Sequence, residues 1–388
     1  MAKKILFVTS EVSGDLITSY LAKNLLALDK DLSLAAVAGA KTKAVGVKVI
    51  ANSATFGSMR IGWVPLWQIF EYYRQRNLLR KKALAYLEEK KIDFVILVDL
   101  NGFSAYFLKI LAEKKIPYLC YIPSQEWVMG KVTKQMKTFA SSKAPVVSIF
   151  PEEHAFYSKL GINSVYLGHP LVDICKNNLS KEEARKNLSI GKNVTLVTLL
   201  PLSRKQEVSF ILPVILKTAD KIRKKQPQIH FCFSLIRLDL KSEIESVLKK
   251  FKGLAISFSE DNYSAIKAAD LVIAKSGTVN LETALLGTPQ IVFYRLSSLS
   301  YFVAKYILRI NFPRFISPVN LMLGKKVVPE FIQTEANPEK LSQEALKLLS
   351  CYSKKSKKDP YKGLKTLMGE KDSLKRAAKK IIELLEAI

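Results

Sequence analysis

Apolar residues along this chain fall into short unbroken runs. Each run is followed by a stretch in which apolar positions recur every three or four residues. Runs of that kind predict strands buried on both faces, and the recurrences predict the helices that cover them. In the first half, ILFVTS (5–10) predicts a strand, 14–28 a helix and LSLAAVAG (32–39) a second strand. A long helical stretch closes with 81–90, and FVILVD (94–99) follows as a strand. AYFLKILAEKK (105–115) predicts a helix, IPYLCYI (116–122) a strand, then VVSIF (146–150), a helix and SVYLG (164–168).

The pattern then restarts. VTLVTLLP (194–201) predicts a strand, 204–225 a helix, IHFCFSLI (229–236) a strand and LKSEIESVLKKF (240–251) a helix. LAISFS (254–259) and DLVIAK (270–275) predict two more strands, with a short helix ending at Gly287 and QIVFY (290–294) as the last strand. Alternation of this kind implies parallel sheets covered on both faces. A chain of 388 residues also exceeds the roughly 250–300 residues at which a single core stops growing. The reading is therefore two doubly wound, Rossmann-like α/β domains facing a cleft, 1–169 and 170–360, divided near GHPLVD (168–173). Residues 361–388 form an amphipathic C-terminal segment expected to pack back across the junction.

Composition changes this picture in two ways. No apolar stretch approaches the roughly 20 residues that span a bilayer, and the first apolar run is broken too early for a signal peptide; a soluble, intracellular protein is expected. The four cysteines, Cys120, Cys175, Cys232 and Cys351, lie far apart in or near apolar runs, so buried free thiols are expected. The net charge of +27 admits nucleic acid, an anionic membrane surface or phosphorylated substrates as partners. No RNA-binding aromatic motif or helix-turn-helix pattern supports the first.

Ligands of doubly wound sheets bind at the carboxyl ends of the strands, so the turns there carry the candidate chemistry. In SEVSGD (10–15), Ser13 is expected to cap a helix, Gly14 to let the backbone turn and Asp15 to complement the helix dipole. Glu11 is left over, as a ligand-facing carboxylate. Asp99 ends a buried strand, as either a cap partner or a general base. In TLLPLSRKQE, Ser203 and Gln206 fit a capping box, yet Arg204 and Lys205 place positive charge in the first helical turn, where it is unfavourable. A bound phosphate would resolve that conflict. In AKSGTVNLE, Gly277 permits close backbone approach and Glu282 stands one turn into a helix, where it could reach sugar hydroxyls. The three histidines show no metal-ligand spacing, the one Asp-x-Asp (Asp29 and Asp31) lies away from the cleft, and no dinucleotide or nucleoside triphosphate fingerprint is present. No metal is expected.

Taken in order, SEVSGD, the Val-Asp at 98–99, Trp127, FPEEHAFY (150–157), GHPLVD, LLPLSRKQEV (199–208), the long block 265–295 and VNLMLGKKVVPEFIQ (319–333) resemble the bacterial lipid-A-disaccharide synthases. These are inverting glycosyltransferases of the GT-B fold. The resemblance implies a UDP-2,3-diacylglucosamine donor and a 2,3-diacylglucosamine 1-phosphate acceptor, joined by a β-1,6 linkage with release of UDP. It implies Arg204 and Ser203 at the pyrophosphate with Ser276, Gly277 and Thr278 near it, Glu282 at the ribose, and Asn320, Glu330 and Gln333 lining the same cleft. It implies Asp99 as base, Glu11 facing the sugar, and no cofactor or metal. Some loops depart from the family pattern: Gly102 replaces an aspartate, and Glu126 stands in an altered loop as a substitute acid or base. The alternatives are a divergent or inactive membrane-associated UDP-sugar-binding relative, a GT-B enzyme with another lipid acceptor, and a UDP-sugar epimerase. The segment 59–82 interleaves Trp63, Val64, Leu66, Trp67, Ile69 and Phe70 with Arg and Lys. It suits either a core helix of a soluble domain or peripheral attachment to the cytoplasmic face of the inner membrane; the resemblance, whose family uses this region for attachment, favours the second.

Overall fold

The computed structural model describes residues 2–53, 66–100, 102–123, 132–175, 179–200, 202, 207–235, 240–251, 253–296, 314–352 and 359–388. The chain forms two compact units, Met1–Ile174 with Leu367–Ile388, and Cys175–Thr366.

The first unit runs β1 (Lys4–Val8), α1 (Val12–Leu28), β2 (Ser33–Ala38), α2 (Ala40–Ala44), β3 (Lys48–Asn52), α3 (Leu66–Lys90), β4 (Phe94–Val98), α4 (Tyr106–Glu113), β5 (Tyr118–Tyr121), α5 (Lys134–Ser142), β6 (Val146–Ser148), α6 (Pro151–Lys159), β7 (Ser164–Tyr166) and α7 (Pro170–Ile174). Its strands pair in parallel in the order β3-β2-β1-β4-β5-β6-β7. Strand order therefore reverses between β1 and β4. Both strands are buried along almost their whole length, which is why they read as unbroken apolar runs.

The second unit runs α8 (Lys181–Asn187), β8 (Leu196–Leu200), α9 (Glu207–Phe210), α10 (Leu212–Lys225), β9 (His230–Ser234), α11 (Lys241–Leu248), β10 (Ile256–Ser259), α12 (Asn262–Ala268), β11 (Leu271–Lys275), α13 (Val279–Leu285), β12 (Gln290–Tyr294), α14 (Pro318–Leu323), β13 (Glu330–Ile332) and α15 (Pro338–Tyr352). The sheet order is β10-β9-β8-β11-β12-β13, again parallel, with the reversal between β8 and β11. The chain closes with α16 (Lys362–Leu367) and α17 (Ser373–Glu386).

Several sequence expectations need correction. QIVFY is not the last strand: β13 pairs with β12 beyond it, a three-residue edge strand too short to leave an apolar signature. β3 was missed for a similar reason, since KVIAN is only partly buried. The helix expected over 204–225 breaks in its described part at Ile211. Pro213 has no N–H to continue the ladder, so α10 starts anew around it. Cys351 is exposed, whereas the other three cysteines are buried.

The GHPLVD motif holds the end of the chain. The Asp173 carboxylate accepts from the N–H of Asp372 (2.6 Å), the N–H of Leu374 (2.8 Å) and the Ser373 hydroxyl (2.8 Å), and so caps α17 from outside. Arg376 donates to the Leu167 carbonyl from Nε (3.2 Å) and Nη2 (2.9 Å), and the His169 N–H donates to the Met368 carbonyl. Gly168, at φ +88°, leaves room for the Arg376 guanidinium. Leu374, Ala377, Ala378, Ile381 and Leu385 form the buried stripe of α17, which packs against α1 and α7. The last residues thus complete the first unit.

Candidate active site

The reversal between β1 and β4 brings two acidic residues together. Beyond β1 the buried Thr9 and Ser10 lead into α1. Glu11, in extended backbone, occupies the position before the helix and makes no side-chain capping bond. Ser13 is not the cap. It lies inside the helix, and its hydroxyl bonds the Asp99 carboxylate. Gly14 serves by its size: a Cβ there would stand 1.9 Å from Thr9 Oγ1 and 3.6 Å from the Asp99 Cβ. Only glycine lets the first turn of α1 press against the strand ends. Asp15 is occupied elsewhere. It accepts from the N–H groups of Gly39 (2.8 Å), Lys41 (3.0 Å) and Thr42 (3.0 Å), capping α2.

Asp99 directly follows β4 and adopts φ +58°; Ile122, directly after the neighbouring β5, adopts φ +66°. Positive φ is tolerated by Asp but unusual for a β-branched residue, and nothing in the sequence flags it. The ladder is kept through both bends: the Asp99 N–H donates to the Tyr121 carbonyl and the Leu100 N–H to the Ile122 carbonyl, each at 3.0 Å. These bonds fix the direction of the Asp99 side chain. Burial and, next, the negative charge of Glu11 raise the Asp99 carboxyl from an ordinary 3.8 to about 7, with the Ser13 hydroxyl opposing them. A carboxyl held near neutrality can accept and release a proton at working pH. Gly102, in the altered loop, is exposed.

In the second unit the turn after β11 gathers Ser276, Gly277 and Thr278, each partly exposed. A Cβ on Gly277 would meet open space, and the Gly277 N–H is held by Asn280 Oδ1 at 2.9 Å. Ser276 donates to the Ile316 carbonyl at 2.6 Å. The N–H groups of Ile316 and Ser317 and the Asn320 amide converge on one oxygen of Glu330 at 3.1, 2.8 and 3.2 Å. Asn320 is fully buried; its Oδ1 also accepts from Val327 and Val328, and its Nδ2 donates to the Val328 carbonyl. Gln333, at φ +51°, clamps both backbone groups of Leu296. These three residues therefore brace the wall behind the Ser276 turn. Glu282 is buried and accepts from Asn262, which in turn accepts from Ser234 at the end of β9.

Sequence reasoning missed Lys275 and Glu207. They form a buried ion pair at 2.5 Å between the end of β11 and the start of α9. Their separation of 68 positions left no local signal. Ser203, Arg204, Gln206, Glu126, Trp63 and Val64 lie outside the described residues. Leu66, Trp67 and Ile69 fall within α3 without described side chains; Phe70 on the same helix is 70% exposed. Among the described residues no group of three or more His, Cys, Asp or Glu side chains could hold a metal ion, and no described helix is long and apolar enough to cross a membrane.

A profile of the lipid-A-disaccharide synthetase family matches residues 5–383. The chain belongs to the lipid-A-disaccharide synthetase family. Within that family it is 33% identical over 387 residues to a lipid-A-disaccharide synthase of Gloeothece citriformis (strain PCC 7424), covering 98% of this chain and 99% of the relative. It is 34% identical over 395 residues to that of Synechocystis sp. (strain ATCC 27184 / PCC 6803 / Kazusa), covering 98% and 97%. Solved structures share the fold of this lipid-A-disaccharide synthetase family member at low identity. A putative UDP-N-acetylglucosamine 2-epimerase from Listeria monocytogenes superposes with a TM-score of 0.63 at 11% identity, covering 100% of this chain and 98% of that one. The UDP-GlcNAc 2-epimerase from Neisseria meningitidis bound to UDP-GlcNAc gives 0.59 at 12%, with both chains fully covered. The glycotransferase of kitacinnamycin gives 0.58 at 11%, covering 99% of each. The two parallel-sheet units are thus those of the GT-B class.

Proposed function

We infer that this chain is a lipid-A-disaccharide synthase: a UDP-dependent inverting glycosyltransferase that joins UDP-2,3-diacylglucosamine to 2,3-diacylglucosamine 1-phosphate. Family membership over residues 5–383 supports the reaction. The structural observation that carries the mechanism is the Asp99 carboxyl beside Glu11, raised to about 7, at the strand-order reversal of the first unit. In the proposed step ionised Asp99 takes the proton from the acceptor 6-hydroxyl. The hydroxyl oxygen bonds the donor anomeric carbon on the face opposite UDP. The bond from that carbon to the UDP oxygen breaks, UDP leaves with the electron pair, and inversion gives the β-1,6 linkage. A positioned base contributes roughly 10²–10⁴ in rate.

The nucleotide is assigned to the second unit, with Ser203 and Arg204 meeting the diphosphate beside Ser276, Gly277 and Thr278. Glu282 takes the ribose hydroxyls, and Asn320, Glu330 and Gln333 hold the wall. The step is proposed to need no metal, as the family resemblance implies; an unchanged rate after dialysis against EDTA supports this, and a loss restored by a divalent cation refutes it. Peripheral attachment to the cytoplasmic face of the inner membrane is proposed through the start of α3. The net charge of +27 and the exposed Phe70, Tyr73 and Leu78 support it. Trp63→Glu with Trp67→Glu should weaken sedimentation with anionic vesicles.

The direct test is incubation with both lipid substrates, read by mass spectrometry for the disaccharide phosphate and for UDP. Absence of the disaccharide would overturn the assignment, and epimerised UDP-sugar formed without acceptor would redirect it to the chemistry named for the structural neighbours.

A further inference from the structure

Two arginines on α3 are not used by the mechanism above. Arg80 is only 9% exposed. Among the described residues its guanidinium donates from Nη2 to the Gly102 carbonyl at 2.7 Å, and its Nε has no partner there. Its guanidinium lies over the Tyr106 ring at 4.0 Å and near Phe103 at 5.8 Å. One helical turn earlier Arg76 lies over Tyr73 at 4.4 Å and near Tyr72 at 5.9 Å, and its Nε is likewise buried without a partner. Among the described residues neither arginine has a carboxylate partner. Burial and, next, the charge of Arg76 lower proton binding at Arg80.

This arrangement is costly by itself. A buried, nearly unbonded guanidinium loses hydration that one carbonyl and an aromatic face restore only in part, and a second cation at i−4 adds repulsion. An anion with several acceptor oxygens would answer all of these deficits together. A phosphate matches the planar guanidinium forks best. The location is informative too. Arg80 grips Gly102, three residues after Asp99 in the turn whose Ser104 hydroxyl donates to the Asp99 carbonyl at 3.3 Å.

We propose that Arg76 and Arg80 form a receptor for a lipid-borne phosphate, and that it takes the 1-phosphate of the sugar acceptor. This rests on the function proposed above. The acceptor carries its phosphate on C1 and its reacting hydroxyl on C6, so the two groups branch from the two carbons that flank the ring oxygen. A phosphate held by α3 beside the Asp99 turn would orient the hydroxyl toward the base, and would select phosphorylated over unphosphorylated acceptors. The exposed rings of Tyr73 and Tyr106 lie against the guanidinium planes of Arg76 and Arg80 and help to hold them.

The test compares wild type with Arg76→Gln and Arg80→Gln, on acceptors with and without the 1-phosphate. Among the described residues Arg76 donates no fold-defining hydrogen bond, so its variant keeps the test informative if Arg80→Gln is unstable. The KM for the phosphorylated acceptor should rise about tenfold or more in each variant, as expected for loss of a charge-assisted hydrogen bond, while the KM for the UDP-sugar stays put. On the unphosphorylated acceptor, wild type and variants should be equal. Equal losses on both acceptors would show a merely structural role and overturn the proposal. Sedimentation with phosphatidylglycerol vesicles forms the second arm. Variants that lose vesicle binding while keeping phosphate selectivity would move the pair to membrane headgroups and overturn the acceptor assignment. If wild type forms no disaccharide, the function fails on its own, and calorimetric titration with the two acceptors still decides whether the arginines read the phosphate.

Discussion

Asp99→Asn exchanges a carboxylate for a neutral amide of the same shape, at a backbone angle of φ +58° that Asn also adopts readily. The substitution therefore isolates charge. In the folded protein the carboxyl is raised from 3.8 to about 7 by burial and by Glu11. Below about pH 4 the folded and unfolded chains both hold the proton, and Asp99 contributes no penalty. Between about 4 and 7 the unfolded chain ionises while the folded one stays protonated, so stability falls as pH rises and then levels off. At about 1.4 kcal/mol per pH unit the total is about 4 kcal/mol; partial exposure of the residue reduces this to about 2–4 kcal/mol. The Asn variant lacks the penalty. Urea denaturation at pH 4 and pH 8 should show the variant gaining that amount on wild type across the interval, while disaccharide formation drops by roughly 10²–10⁴. A stability difference that stays flat with pH would refute the electrostatic reasoning. Full turnover in the variant would remove Asp99 as the base.

Glu11→Gln removes the like charge beside Asp99, so the acid limb of the pH–rate profile should move to lower pH; an unmoved limb would show that the two carboxylates do not interact. Asp173→Ala deletes the outside cap of α17 and should cost about 1–2 kcal/mol, with limited proteolysis cutting first among the last residues; intact, equally resistant termini would contradict this. Gly14→Ala forces a methyl onto Thr9 Oγ1 and should cost about 1–3 kcal/mol, part of which Thr9→Ala should restore in thermal denaturation of the double variant.

The two-unit, parallel α/β organisation was legible because the strands are buried on both faces and therefore appear as unbroken apolar runs. β1, β4, β8 and β11 are all of this kind, and they are the strands whose ends carry the candidate chemistry. Glu11 and Asp99 stood out for the same local reason, as carboxylates at the ends of greasy strands. The family pattern then covered nearly the whole chain. What the sequence could not express was any relation made across distance. Ser13 reads as a cap by its neighbours, yet it serves Asp99; Asp15 reads as a dipole partner, yet it caps α2. Asp173 meets α17 across about two hundred positions, and Lys275 meets Glu207 across 68. Pairing Glu11 with Asp99, and hence raising the Asp99 carboxyl, required the crossover that sets β4 beside β1. Local sequence selects backbone conformation and burial through side-chain size and polarity, whereas desolvation and Coulomb interactions depend on separations in space, and only the folded chain sets those.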